Sequence, residues 1–404
     1  MSPPPHLGIL IPQRSTQNPS DFYNLEQLLT DSQRDTLQKV RIFMQERVQP
    51  IINEHWTKEE FPHHLLPEFA KLGVVGAPYQ GYGCPGEGWL FEGFLSQEIS
   101  KIDCSIGTFF GVQNGLAMGS IYLCGSEEQK EYWLPKMRAL EVIGAFGLTE
   151  PEHGSDISKG LATTAERRGD KWVLNGQKKW IGNATFADIT VIWARDKADG
   201  QVKGFLVEKG TEGFQTKKMQ HKMALRVVQN AEITMKDCVV PESHRLQDAR
   251  SFRDTARVLR MTRAAVAWQA VGCAAGAYEL ALDYCKKREQ FGQAIAGFQL
   301  VQDRLAQMLA NLVSAQGMVV RLSQLQDQGE LREEHASLAK MFCTVKMRET
   351  VGLARELLGG NGILLNHHVG RFVADAEAIY SYEGTREINA LIVGRAITGL
   401  GAFR

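Results

Sequence analysis

The chain has 404 residues, 44% of them apolar and 23% charged, enough for two or three ordinary domains with large cores, which excludes an intrinsically disordered protein. Lys plus Arg and Asp plus Glu both number 46, so no global positive field is available to hold nucleic acid or an anionic membrane. No stretch approaches the roughly 18 consecutive apolar residues of a membrane span, so none is expected. The seven cysteines (Cys84, Cys104, Cys124, Cys238, Cys273, Cys285, Cys343) are scattered and form no CxxC pair. That argues against a disulfide framework and a metal site, and for a reducing compartment.

In chain order, residues 1–20 carry three consecutive prolines and one basic residue, which predicts a loose arm rather than a targeting segment. Thr30 and Gln33 then form a capping box, and Leu37, Val40, Met44 and Val48 follow at helical spacing until Pro50, where the helix is expected to stop. Further helical patterns run through 65–72, 89–102 and 127–140, giving a helical first third, 21–144. Between 145 and 247 the period shortens toward two. Lys171–Leu174 and Lys178–Ile181 flank Asn175-Gly176, a hairpin signal, and Ile189, Val191, Trp193 alternate like a half-buried strand, as do Ala231, Ile233, Met235. From 248 to 404 long helices return over 263–287, 299–326 and 338–358, with one apolar stripe through Leu305, Met308, Leu312, Val319 and Leu322, predicting an antiparallel bundle.

Gly81-Tyr82-Gly83-Cys84-Pro85-Gly86 matches a dinucleotide-binding fingerprint but holds a proline and lacks a βαβ context, so it reads as a structural loop. The segment from Phe146 to Asp156 combines Pro151 and Gly154 bends with the hydroxyls of Thr149 and Ser155. It is either an ordinary polar loop or a cradle for a polar ring or diphosphate. His63-His64 and His367-His368 lack metal-ligand spacing. Glu356-Leu357-Leu358-Gly359-Gly360 is a helix end closing in a glycine turn, a plain cap or a close backbone approach to a ligand. Glu383, between Tyr382 and Gly384-Thr385, is either a helix-entry carboxylate or a desolvated base.

Taken together and in this order, four segments resemble the acyl-CoA dehydrogenase family of flavoproteins over nearly the whole chain. They are Leu148-Thr149-Glu150-Pro151 to Gly154-Ser155-Asp156, Arg288-Glu289-Gln290-Phe291-Gly292 with Gln299, Leu358-Gly359-Gly360-Asn361-Gly362, and Tyr382-Glu383-Gly384-Thr385. The tail Gly394-Arg395-Ala396-Ile397-Thr398-Gly399 is most similar to the glutaryl-CoA dehydrogenase branch and to plant short-chain acyl-CoA oxidases. The resemblance implies an α+β multidomain fold: an N-terminal helical domain, a central β-barrel and a C-terminal four-helix bundle. It implies an oxidoreductase of fatty acid metabolism that uses FAD to place a trans-2,3 double bond in an acyl-CoA thioester. It further implies a homotetramer and an electron-transferring flavoprotein as a possible acceptor, with an oxidase or a glutaryl-CoA dehydrogenase as alternatives.

Carried over by motif, Glu383 is the catalytic base. Phe146, Leu148, Thr149, Ser155, Trp180, Ile181, Gly182 and Thr385 would contact FAD. Arg288, Gln299, Glu356, Leu357, Leu358, Gly359 and Gly360 would reach the FAD of a neighbouring subunit. Ser155, Arg263 and Gly384 would bind substrate. Two departures stand out. Gly182 replaces a threonine that many relatives place beside the flavin, expected to open space there. Gly107 and Gly111 fall where glutaryl-CoA dehydrogenases carry an arginine and a serine for the distal carboxylate, with Lys101 nearby as a potential substitute. The end, Ala402-Phe403-Arg404, lacks a peroxisomal signal, and a cytoplasmic location is expected.

Overall fold

The computed structural model describes residues 18–402, so the arm expected over 1–20 and the final Phe403-Arg404 lie almost wholly outside it. The first helical block comprises α1 (Asp31–Phe43), α2 (Gln49–Lys58), α3 (Leu66–Lys71), a small hairpin β1 (Gln80–Gly81) and β2 (Cys84–Pro85), then α4 (Trp89–Ile102), α5 (Cys104–Gly111), α6 (Gly119–Cys124) and α7 (Glu127–Arg138). The dinucleotide-like glycine run is thus the β1–β2 hairpin. The Thr30 capping box is present, with Gln33 N–H donating to Thr30 Oγ1 at 3.2 Å and Thr30 N–H to Gln33 Oε1 at 3.0 Å. The helix does not stop at Pro50. Residues Met44–Val48 widen into a π-helical turn, and Pro50 follows directly after it in the first turn of α2, where the widened ladder accommodates the proline.

The middle of the chain is one curled seven-stranded sheet, a half-barrel: β3 (Gly144–Gly147), β4 (Thr164–Arg168), β5 (Lys171–Ile181), β6 (Ile189–Asp196), β7 (Val202–Glu208), β8 (Phe214–Lys218) and β9 (Ala231–Pro241), with the one-turn helix α8 (Ile157–Gly160) after β3. The order is β3-β6-β4-β5-β9-β8, with β7 on β6. Two features of this sheet differ from the sequence expectation. Asn175-Gly176 is not a turn; β5 runs through it and bulges against β9. Gly176 has φ +147°, and a Cβ there would stand 2.6 Å from Thr163 Oγ1, while Asn175 Oδ1 accepts from Asp237 N–H at 2.8 Å. The backbone freedom that suits Asn-Gly to a hairpin suits it equally to a bulge. The reversal lies earlier, at Gly169-Asp170 between paired Arg168 and Lys171. Second, β6 is buried on both faces, because helices cover one side and the sheet curls over the other.

The last block holds α9 (Phe252–Lys287), a short hairpin β10 (Glu289–Gln290) and β11 (Gln293–Ala294), then α10 (Gln299–Asp327), α11 (Glu333–Leu357), α12 (Val369–Ser381) and α13 (Arg386–Thr398). One core cluster runs from α1 through α4, α9, α10, α11 and α12 and into β6, so the two helical blocks share a single interior. Among the described residues, no helix is long and apolar enough to cross a membrane.

Candidate active site

β3 feeds a loop whose position is fixed by a buried ion pair. Glu150 accepts from Lys178 Nζ at 2.8 Å and from the backbone N–H groups of Ala162 and Thr163 at 2.7 and 2.9 Å, while Lys178 Nζ also reaches Leu148 O at 3.0 Å. Burial pulls the Lys178 ammonium down to about 8, yet it stays charged at neutral pH. Burial would raise Glu150, but the lysine charge and three donors hold it below the ordinary carboxylate range. This pair packs Phe146 and Leu148 into the core and presents Thr149, half-buried, at the sheet's end. Lys179 N–H donates to Thr149 O at 2.9 Å, which sets Trp180 beside it. Trp180 is 56% exposed with φ +67°, and its carbonyl accepts from Asn230 Nδ2 at 3.1 Å. A wide, solvent-facing aromatic ring held in a left-handed conformation is a platform for a flat ligand. Ile181 is buried beneath it, Gly182 follows, and Ser155 stands exposed on the loop.

Glu383 lies in the turn between α12 and α13, with φ +54° followed by Gly384 at +86°. Its Oε2 accepts from Thr262 Oγ1 on α9 at 3.0 Å. Burial raises its carboxyl above the usual range, opposed by the Arg263 guanidinium, the Thr262 hydrogen bond and the Lys340 ammonium. Arg263 is itself buried and donates to Glu333 at 3.0 Å. Thr385 caps α13, accepting from Ile388 N–H at 3.3 Å. Tyr382 Oη donates to Gln269 Oε1, and Gln269 in turn donates to Thr108 Oγ1 at 2.8 Å and Cys104 O at 2.9 Å, closing a polar network behind the carboxylate.

A π-helical stretch, Val112–Met118, joins the aromatic platform to the carboxylate. A Cβ on Gly182 would stand 3.3 Å from Val112, and one on Gly115 would stand 3.2 Å from the Thr262 methyl. Gly182 therefore makes room for Val112 rather than opening a space, contrary to expectation. Platform, widened helix and base form one continuous corner.

The other expected cofactor residues lie elsewhere. Arg288 caps the far end of α9 and Gln299 opens α10, both exposed. Asn361 Nδ2 donates to Tyr284 Oη at 3.0 Å and Arg304 Nε to Glu356 at 2.8 Å, which gathers the 356–361 turn to that same end. Leu357 is half-buried, Leu358 is buried, and Gly359 and Gly360 are exposed. Because α9 is unbroken, the roughly 25 residues from Thr262 to Arg288 span about 38 Å at 1.5 Å per residue. The two groups of residues therefore lie far apart along the chain's longest helix.

Three family models cover the chain: the acyl-CoA dehydrogenase N-terminal domain over 30–141, the middle domain over 145–238 and the C-terminal domain over 252–398. The chain belongs to the acyl-CoA dehydrogenase family, oxidoreductases that act on CH–CH bonds. A curated acyl-CoA dehydrogenase of Bacillus subtilis strain 168 is 33% identical over 365 residues, covering 89% of this chain and 96% of that protein. A solved glutaryl-CoA dehydrogenase of Mycobacterium smegmatis superposes with a TM-score of 0.92 at 38% identity, covering 96% of this chain and 100% of that one. A second, from the same organism and in complex with FADH2, gives 0.91 at 35% identity over 95% and 98% of the two chains. The cofactor is FAD, and the exposed Trp180 ring with Thr149 at its edge fits a flat heteroaromatic ring.

Sequence reasoning gave no role to Lys178, Thr262, Asn230 or Lys340. Lys340 left a trace: it falls in the buried α11 stripe of Ala336, Ala339, Cys343 and Met347, where a lysine is out of place. Lys178 lies in a strand of mixed polarity and left none.

Proposed function

We propose that this enzyme dehydrogenates a short, monocarboxylic acyl-CoA to its trans-2-enoyl-CoA, with Glu383 as the general base that removes the α-proton. The observation that supports this most is the half-buried Glu383 carboxylate, raised by desolvation and aimed by the Thr262 hydroxyl. The backbone N–H of Glu383 is the donor we assign to the thioester carbonyl, with Gly384 leaving that approach clear, Arg263 near the thioester and Ser155 along the CoA arm. When bound, FAD would supply the two-electron oxidation as acceptor of the β-hydrogen. Phe146, Leu148, Thr149, Ser155, Trp180, Ile181, Gly182 and Thr385 would hold it on the corner of one subunit. Arg288, Gln299 and 356–360 would hold it from a neighbour, in a homotetramer supported by Phe291 and Leu300, 95% and 74% exposed at that end. Electrons pass on to an electron-transferring flavoprotein.

A side chain at Gly107 would overlap Ser100 Oγ. Lys101 is buried and paired with Glu98 at 2.9 Å and Glu279 at 3.5 Å, so it cannot serve a distal carboxylate. A second carboxylate would be desolvated without a partner, which disfavours glutaryl-CoA despite the structural neighbours. Anaerobic titration with butyryl-CoA and glutaryl-CoA tests this: butyryl-CoA is expected to give the higher kcat/KM. Glutaryl-CoA preferred, or CO2 released with crotonyl-CoA, would overturn the assignment.

A further inference from the structure

Lys340 sits on α11 with no solvent exposure at all. Its Nζ spends its hydrogen bonds on backbone rather than on a carboxylate, donating to Tyr380 O at 2.7 Å and to Gly384 O at 2.8 Å. Those two carbonyls bracket Glu383. Tyr380 O lies in the last turn of α12 and Gly384 O in the turn that follows, where two successive residues, Glu383 and Gly384, adopt left-handed φ, a conformation that a non-glycine residue keeps only when its surroundings impose it. Asn389 adds a second hold from α13, its Nδ2 donating to Gly384 O at 2.9 Å and Thr385 O at 3.0 Å.

Burying a lysine to make two backbone contacts is costly. We infer that Lys340 is a positioning residue for the base: its ammonium cross-links the carbonyls before and after Glu383, fixing where both the carboxylate and the Glu383 N–H point. This rests on the reading of Glu383 as base. A second consequence is electrostatic. The charged groups that act on Lys340 are Glu383, Arg263 and Glu387, and burial lowers its ammonium to about 8. At neutral pH it is a cation beside the base and helps keep that base ionised.

The test uses the FAD-loaded enzyme and its Lys340→Met, Lys340→Gln and Glu383→Gln variants. Four quantities are measured: bound FAD, butyryl-CoA affinity, anaerobic exchange of the butyryl-CoA α-hydrogen with deuterated water, and flavin reduction rate against pH. Lys340→Met is expected to keep FAD and butyryl-CoA while exchange falls on the order of 10²-fold, the scale of an ångström misplacement. The acid limb of its reduction rate should move to higher pH, since loss of the cation makes the carboxyl easier to protonate. Lys340→Gln, which can still donate to both carbonyls, should recover part of the exchange but show the same displaced limb. It decides the matter if the methionine variant fails to hold FAD. Wild-type exchange with an unmoved limb in the folded variant would overturn the proposal, as would a loss confined to FAD or butyryl-CoA affinity. Glu383→Gln separates the two readings: no exchange supports Glu383 as base, whereas wild-type exchange overturns that reading and the role of Lys340 with it.

Discussion

The two parts of the proposed cofactor site are built on opposite terms. The corner that holds Trp180 and Glu383 is assembled from buried, satisfied groups: the Glu150–Lys178 pair, the Thr262 hydroxyl and the Gln269 network each fix one piece. The end that holds Arg288, Gln299 and Gly359-Gly360 is surface, its ion pairs, Arg304 to Glu356 and Lys287 to Asp283, facing solvent. Chemistry that depends on placement within an ångström belongs in the first, and grip on an extended polar cofactor belongs in the second. Substitutions in the corner should therefore damage rate or folding, and substitutions at the far end should damage affinity and assembly.

The largest effect is expected from Glu383→Gln, which should retain FAD and lose flavin reduction by on the order of 10²–10⁴-fold. In the wild type, the acid limb of that rate should lie above the usual glutamate range, because burial raises the carboxyl. The same shift has a stability cost of known sign. A carboxyl raised in the fold contributes stability at pH below its unfolded value, and that contribution is lost as pH rises through the folded value. Glu383→Gln should thus be the more stable protein at neutral and alkaline pH, read as a higher Tm. A variant that reduces flavin normally would remove Glu383 from the chemistry.

Next in size is Glu150→Ala. It leaves the Lys178 ammonium buried without its carboxylate, and the Ala162 and Thr163 N–H groups without an acceptor. Breaking such a pair costs about 3–5 kcal/mol. Chemical denaturation is expected to show that loss, with FAD released because Thr149 and Trp180 lose their support. If stability held and FAD stayed, the corner would owe its geometry to packing alone.

The fold was largely legible because its signals are periodic: the Thr30 box, the 3.6-residue stripes of α10 and α11 and the alternation of β9 each depend on neighbours in sequence. What failed depends on partners far away. Asn175-Gly176 became a bulge because β9, some 60 residues on, runs past it, and Pro50 was tolerated because the preceding turn widened. The site divides in the same way. Glu383 and the Thr149 loop sit in compact motifs and could be singled out. Thr262, 121 residues from the carboxylate it orients, could not. Nor could sequence show that Gly182 lies against Val112.

At the far end a smaller effect is expected. Arg288→Ala should weaken FAD binding by about tenfold, the equivalent of one charge-assisted hydrogen bond of roughly 1.5 kcal/mol, and leave the base untouched. Mixing sharpens the comparison. In hybrids of Glu383→Gln with Arg288→Ala chains, a site shared between subunits regains one fully wild-type combination, with the base of one chain and the arginine of the other. Sites confined to one chain regain none. Recovery of tightly bound, reducible FAD in the hybrid is the expected result, and its absence would place each flavin on a single chain.

The smallest effect belongs to Gly182. The absence of a hydroxyl there invites the idea that oxygen gains a path to the reduced flavin. Val112, 3.3 Å from where a Cβ would sit, already occupies one side, and Val228 stands 3.7 Å away on another. Gly182 has no left-handed φ to protect, so the effect of substitution is one of space alone. Gly182→Ala should cost about 1 kcal/mol through overpacking against the Val112 methyl. Reoxidation of the reduced enzyme by air should stay within about twofold of wild type, because protein rather than a void lies beside the glycine. Stopped-flow mixing with oxygenated buffer measures this directly. A marked slowing in the alanine variant, together with hydrogen peroxide formed at the full turnover rate by the wild type, would instead identify the glycine as an oxygen port and the enzyme as an oxidase.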